Sequence, residues 1–173
     1  MKIFAAQPSH ITDIMKIIGE AQSFLKSMGI DQWQDNYPDQ SVIMNDIAAN
    51  EGLIITHQTE IIAYAMISFR HEPSYETIYE GKWLNNEPYA VLHRMAVSEN
   101  FRNQGVAQFI LKKLEIMSLQ NNLLNIRVDT HIENLPMRKL LTKNGYLYCG
   151  TIYLGNGNKR IAFQKQLTEQ IHS

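Results

Sequence analysis

Cysteine is almost missing from this chain of 173 residues: Cys149 stands alone, so no internal disulfide can form and no cysteine metal cluster can be built. A reducing compartment, the cytoplasm, is therefore the expected location. An excess of charge of one sign is missing too. Sixteen basic against seventeen acidic residues leave a formal net charge of -1, which does not advertise the polyanion attraction behind non-specific nucleic-acid binding. No uninterrupted apolar run reaches the roughly 18 residues of a membrane span, and Met1 to Ser9 lacks the apolar stretch of a signal peptide. Neither a membrane nor a nucleic-acid partner is expected. Repeats, low-complexity tracts and linkers are absent as well. With 45% apolar and 19% charged residues, the expectation is one domain over residues 1–173 with a core of its own.

What is present reads as alternating elements. Met1 to Ala6 suits a strand that stops at Pro8, and Ser9 can cap a helix carrying Ile11, Ile14, Ile17, Ile18, Ala21, Phe24 and Leu25, closed near Gly29. A loop to Asp39 and a shorter helix over Ser41 to Asn50 follow. Leu53 to Thr56 and Ile61 to Phe69 form a hairpin, and Arg70 to Pro88, with two prolines, Gly81 and Trp83, is a long irregular excursion. Then come a strand (Tyr89 to Val97), a helix (Gly105 to Leu119), a strand (Asn125 to Thr130), a helix (Leu135 to Asn144) and two strands (Tyr146 to Leu154 and Arg160 to Leu167) joined by Gly155-Asn156-Gly157-Asn158. The order is βααββ, β, αβαββ.

Chemistry concentrates where the Tyr89 to Val97 strand passes through a polar turn and a glycine into a helix. Such a helix start presents backbone N–H groups without intrahelical partners, which attracts phosphate. Gly105 lets a pyrophosphate approach, Ala107 keeps the side chain small, and Arg102 can add a charged contact. Neither a P-loop nor a dinucleotide-binding glycine pattern is present. By itself the turn is equally a plain helix start.

The segment Arg102-Asn103-Gln104-Gly105-Val106-Ala107 resembles the [QR]-x-x-G-x-[GA] pyrophosphate loop of the GCN5-related N-acetyltransferase (GNAT) family, preceded by Met95-Ala96-Val97 as the end of that family's fourth strand. Downstream, Asn134 to Tyr146 resembles the family's N-x-x-A-x-x-L-Y-x-K-x-G-F block, with Asn134, Leu140, Lys143, Gly145 and Tyr146 in phase. The resemblance implies an α/β (α+β) fold whose mixed, mostly antiparallel sheet is splayed between strands 4 and 5 and flanked by about four helices. It further implies acetyl-CoA as co-substrate, with the backbone of Met95, Ala96 and Val97 along the pantetheine arm. Arg102, Asn103, Gln104, Gly105, Val106 and Ala107 would hold the pyrophosphate, and Asn134 would contact the pantetheine or the thioester region, cap a helix, or do both. The implied reaction is acetyl transfer to a primary amine, small-molecule or peptide, by direct attack in a ternary complex; a homodimer is possible in this family.

For the base, strand alternation places His93 on one face with Met95 and Val97, and imidazole ordinarily titrates near neutrality; a hydrogen-bonded sheet histidine is the alternative. His131, beside Asp129, is the second candidate base or an acceptor contact. Two residues do not make a metal site, and no third ligand presents itself. The family's acid, a tyrosine, falls at Leu141 here, so Tyr146, Tyr148 or water must protonate the thiolate, with Tyr146 also suited to plain packing. Cys149 suits packing more than acyl carriage. Asp31, Trp33, Glu80, Trp83 and Glu87 are candidate walls of an acceptor site. Leu141 also prompts a second reading, a non-catalytic acyl-CoA-binding regulatory module.

Overall fold

The computed structural model describes residues 1–168. Its elements are β1 (Lys2–Ala5), α1 (Ile11–Ser27), α2 (Gln40–Ala48), β2 (Gly52–His57), β3 (Glu60–Ser68), β4 (Ala90–Val97), α3 (Val106–Gln120), β5 (Asn125–Thr130), α4 (Leu135–Lys143), β6 (Leu147–Tyr153) and β7 (Lys159–Gln166). The order matches the sequence reading, with short 3-10 turns added at Pro8–His10, Pro73–Tyr75 and Glu99–Phe101. Ser9 does not cap α1 as expected: it lies in the first of these turns, where the His10 ring Nδ1 accepts the Gln7 N–H at 3.0 Å. α2 has the cap chemistry that α1 lacks. Asp39 accepts the Val42 N–H at 3.0 Å and the Ser41 hydroxyl at 2.7 Å, contacts that favour its charged form and lower its pKa.

The seven strands run in the order β1-β2-β3-β4-β5-β7-β6. The β1/β2, β2/β3, β5/β7 and β6/β7 pairs are antiparallel, and β4/β5 is parallel. That parallel ladder is short. It ends at Leu92 opposite Val128, although β4 continues to Val97 and β5 to Thr130.

The chain clusters into two compact units. The first joins Met1–Ile67 to His93–Ile110. Its core collects the buried stripe of α1 (Ile14, Ile17, Ile18) with Ile43 and Ile47 of α2, Ile54, Tyr64 and Ala96, because the i, i+3, i+4 spacing of the isoleucines puts them on one helix face. Each buried isoleucine contributes about 1.5 to 3 kcal/mol of transfer free energy.

The second unit joins Ser68–Leu92 to the chain from Leu111 onward. Tyr75, Trp83, Val91, Cys149, Ile152 and Ala162 form its aromatic core. The excursion over residues 70–88 lacks regular structure but is tightly held. The Trp83 indole N–H donates to the Tyr75 carbonyl at 2.9 Å, and the Arg127 guanidinium lies 4.1 Å from the Trp83 ring and 4.0 Å from the Tyr89 ring. Arg127 also donates to the Asn85 carbonyl at 2.8 Å, while Tyr79 and Thr151 exchange backbone hydrogen bonds of 2.8 and 2.7 Å. Gly81 is required by proximity, since a Cβ there would lie 2.1 Å from the Cys149 carbonyl oxygen.

Candidate active site

The turn into α3 is built as its sequence requires. Gly105 has φ +80, a conformation that a side chain disfavours, and its carbonyl accepts the first helical bond, from Phe109 N–H at 2.9 Å. The N–H groups of Val106, Ala107 and Gln108 therefore precede the first intrahelical bond and face forward from the helix start. A Cβ on Gly105 would meet no protein atom within 4 Å, so the space beside it is open to a ligand and the glycine answers to φ. Asn103, at φ +61, adds a second left-handed residue to the same turn. A helix N-terminus of this kind is a site for anionic oxygens. Arg102 is committed elsewhere: one guanidinium nitrogen donates to the Glu20 carbonyl at 3.1 Å, and its carbon lies 4.4 Å from the Phe24 ring centre. Its visible role is to clamp the loop to α1. Gln104 likewise donates to the Asn100 carbonyl at 2.7 Å, closing the turn.

In β4 the chain departs from regular strand geometry at one point. Arg94 has φ +50, the left-handed region that a bulky side chain enters only when its surroundings over-determine it. Strict alternation is interrupted there, so sequence spacing alone no longer fixes which face His93 shares with Met95 and Val97. His93, Met95 and Val97 are half-buried, and Ala96 is buried in the core of the first unit.

The Arg94 side chain is anchored at three nitrogens. Nε and one terminal nitrogen each donate to a carboxylate oxygen of Asp46 at 2.7 Å, and the other terminal nitrogen donates to the Tyr37 hydroxyl at 2.7 Å. The Tyr64 hydroxyl donates to Asp46 at 2.8 Å. Burial pulls the Arg94 pKa down, but the Asp46 and Tyr37 contacts outweigh it and hold the value above the ordinary guanidinium range. Burial, then Asp46, pushes the Tyr64 phenol far up. Sequence reasoning missed this constellation. One signal was available: an arginine flanked by Leu92, Met95 and Ala96 in a strand demands an acidic partner if it is buried.

In the second unit, Asn134 caps α4, its side-chain oxygen accepting the Met137 N–H at 3.2 Å. His131 follows β5, and its Nδ1 accepts the Glu133 N–H at 3.2 Å, which leaves Nε2 as the protonated nitrogen of the neutral ring. The preceding residue but one, Asp129, accepts the buried Tyr75 hydroxyl at 2.6 Å. Leu141 is wholly buried in α4. Tyr146 is wholly buried as well: its hydroxyl has no hydrogen-bond partner, and burial raises its pKa far above the phenol range. That environment suits packing and offers no path for a proton. Tyr148 is exposed and packs edge-on against Phe163. Cys149 is buried with its pKa raised, first by desolvation, which makes it an inert thiol.

Comparison with known proteins decides the family. The model of the "Acetyltransferase (GNAT) family" matches residues 16–146. This chain belongs to the GNAT acetyltransferase family. The crystal structure of a GNAT family acetyltransferase from Streptococcus agalactiae is 37% identical, with 97% of this chain and 96% of that one covered at a TM-score of 0.90. The PaiA N-acetyltransferase of Thermoplasma acidophilum, solved in complex with coenzyme A, shares the fold at 12% identity and a TM-score of 0.71, with 95% and 98% covered. The Ard1 structure from Thermoplasma volcanium does so at 15% identity and 0.67, with 97% and 98% covered. A search of curated proteins found no match.

GNAT membership accounts for the mixed sheet, its single parallel pair at β4/β5 and the glycine turn before α3. It does not account for the candidate acceptor walls, whose positions are local. Trp83 is a buried anchor, Trp33 is partly buried against the first core, and Glu80 pairs with Lys159 at 3.2 Å and accepts the Thr151 hydroxyl at 2.8 Å. The Thr151 bond, then Lys159, lowers the Glu80 pKa. Asp31 and Glu87 are exposed. No helix among the described residues is long and apolar enough to cross a membrane.

Proposed function

We propose that this GNAT protein transfers an acetyl group from acetyl-CoA to a primary amine, on a small molecule or a peptide, by direct attack in a ternary complex. The observation that carries the proposal is the left-handed Gly105 turn at the start of α3, whose first N–H groups suit a pyrophosphate and beside whose Cα no protein atom crowds the space. The backbone of Met95, Ala96 and Val97 would hold the pantetheine amides as an added strand does, and the Asn134 amide is the polar group assigned to the thioester end.

His93 is the base. Its ring takes the proton that the amine loses, directly or through one water, so that the nitrogen attacks as a free base. A β4 backbone N–H holds the carbonyl oxygen as negative charge develops on it. With Leu141 and Tyr146 sealed in the core, the departing thiolate takes its proton from water, which its low basicity as a thiol anion permits. His131 stands as an acceptor contact.

Calorimetry with acetyl-CoA, followed by CoA-thiol release against a panel of amines, tests the proposal. Binding with amine-dependent release supports it; no binding overturns it. Binding with no release across small amines, polyamines and peptides would favour the regulatory module, the reading that the buried Leu141 supports.

A further inference from the structure

We propose that Asp46, Tyr37 and Tyr64 are positioning residues that hold Arg94 in its left-handed conformation and so set which β4 backbone N–H groups meet the acyl carbonyl. The inference rests on the reading of β4 as the acyl-CoA strand.

Arg94 is neither glycine nor asparagine, yet it takes φ +50 in the middle of an eight-residue strand. A conformation of that kind persists only where several contacts fix it. Three guanidinium nitrogens are engaged, two on the carboxylate of Asp46 and one on the Tyr37 hydroxyl, all at 2.7 Å. The carboxylate is itself held. Asp46 is 5% exposed, takes the hydroxyl of the fully buried Tyr64, and sits on α2, whose start is fixed by the Asp39 cap. The far end of β4 is pinned as well, where Ser98 N–H donates to the Ile62 carbonyl at 2.9 Å.

Between those anchors, the backbone conformation at residue 94 sets the direction in which the following peptide groups set out. A left-handed residue turns the following N–H away from the direction that regular alternation would give it. A bidentate buried pair adds little net stability compared with apolar packing of the same volume, so stability alone does not explain this one. Its geometric effect is to pull the Arg94 side chain toward α2 and the 28–39 loop, and the backbone must follow.

The test separates the side chain from the backbone conformation. Glycine adopts φ > 0 freely and alanine does not. Two double variants, Asp46→Asn/Arg94→Gly and Asp46→Asn/Arg94→Ala, both lack the tether, but only the first keeps easy access to the left-handed conformation. The readouts are the crystal-structure φ at residue 94 without ligand, CoA affinity by calorimetry, and the carbonyl stretch of bound ¹³C-labelled acetyl-CoA by infrared difference spectroscopy. The glycine variant, for which a left-handed residue carries no steric cost, is expected to retain φ > 0 and the same lower-frequency carbonyl band that is expected of the unmodified protein. The alanine variant is expected to relax to an extended residue and lose the shift, with CoA affinity comparable in both. A left-handed alanine, or identical carbonyl bands in the two variants, overturns the proposal. Failure of the unmodified protein to bind acetyl-CoA overturns the reading of the site instead, and the ligand-free φ values still decide the conformational claim.

Discussion

Tyr146→Phe removes one oxygen from the interior, and the structure fixes the sign of its effect. The Tyr146 side chain is 0% exposed and its hydroxyl meets no partner. A buried hydroxyl left unsatisfied costs about 1 to 3 kcal/mol, and the void left by a single oxygen returns part of that. The nearby Lys165 keeps its 2.6 Å contact with Glu115 whichever residue is present, and its ammonium, 5.7 Å from the ring centre, keeps a ring to face. A net gain of about 1 kcal/mol is expected, which for a chain of this length raises the thermal midpoint by about 2 to 4 °C. Differential scanning calorimetry measures the gain, and turnover on the first amine found to be a substrate should not change. A lower midpoint would show that the hydroxyl has a partner after all. A tenfold or greater loss of kcat would make Tyr146 the acid and would refute the assignment of that proton to water.

Gly105→Ala forces an alanine into φ +80, which costs about 1 to 2 kcal/mol; the turn is expected to relax and acetyl-CoA affinity to fall about tenfold or more by calorimetry. His93→Ala should lower kcat by about 10²- to 10⁴-fold with amine and acetyl-CoA saturating; a normal rate removes His93 from the role of base. Alkali should unfold the protein steeply. Tyr64, Tyr75 and Tyr146 all have raised phenol pKa values, in each case first through desolvation. The stability these groups confer is complete below the unfolded value near 10 and is lost as pH rises above it, by about 1.4 kcal/mol per pH unit for each, or about 4 for the three. Unfolding free energies from denaturant titrations above about pH 11 report that slope, and Tyr146→Phe should reduce it by about a third.

Elements with strong period and punctuation were legible in the sequence. The isoleucine stripe of α1, the glycine before α3 and the Gly155 to Asn158 turn each express a local rule, and local rules need no tertiary partner. Local geometry was legible where a backbone motif carries it, as in the left-handed turn at Gly105 and in the cap that Asn134 places on α4. It was not legible where distant residues decide. Arg94 and Asp46 lie 48 positions apart, and a left-handed arginine announces nothing in a strand whose residues otherwise favour extension. Alternation was therefore carried through residue 94, where the backbone is left-handed. Arg102 shows the complementary case: its motif position suggested a phosphate ligand, and nothing in that motif announced the contacts of its guanidinium with the Phe24 ring and the Glu20 carbonyl on α1.

The excursion over residues 70–88 alternates between packed positions and exposed side chains. Gly81 lies close against the Cys149 backbone, the Trp83 indole donates to the Tyr75 carbonyl and the Asn85 carbonyl accepts from Arg127, whereas the side chains of Lys82, Leu84, Asn86 and Glu87 between and beyond them are exposed. Such a segment resembles a rail with interchangeable fittings. Substitutions at the exposed positions can alter charge and shape on that surface while the pins keep the backbone on course, so its chemistry can be changed at little cost to folding.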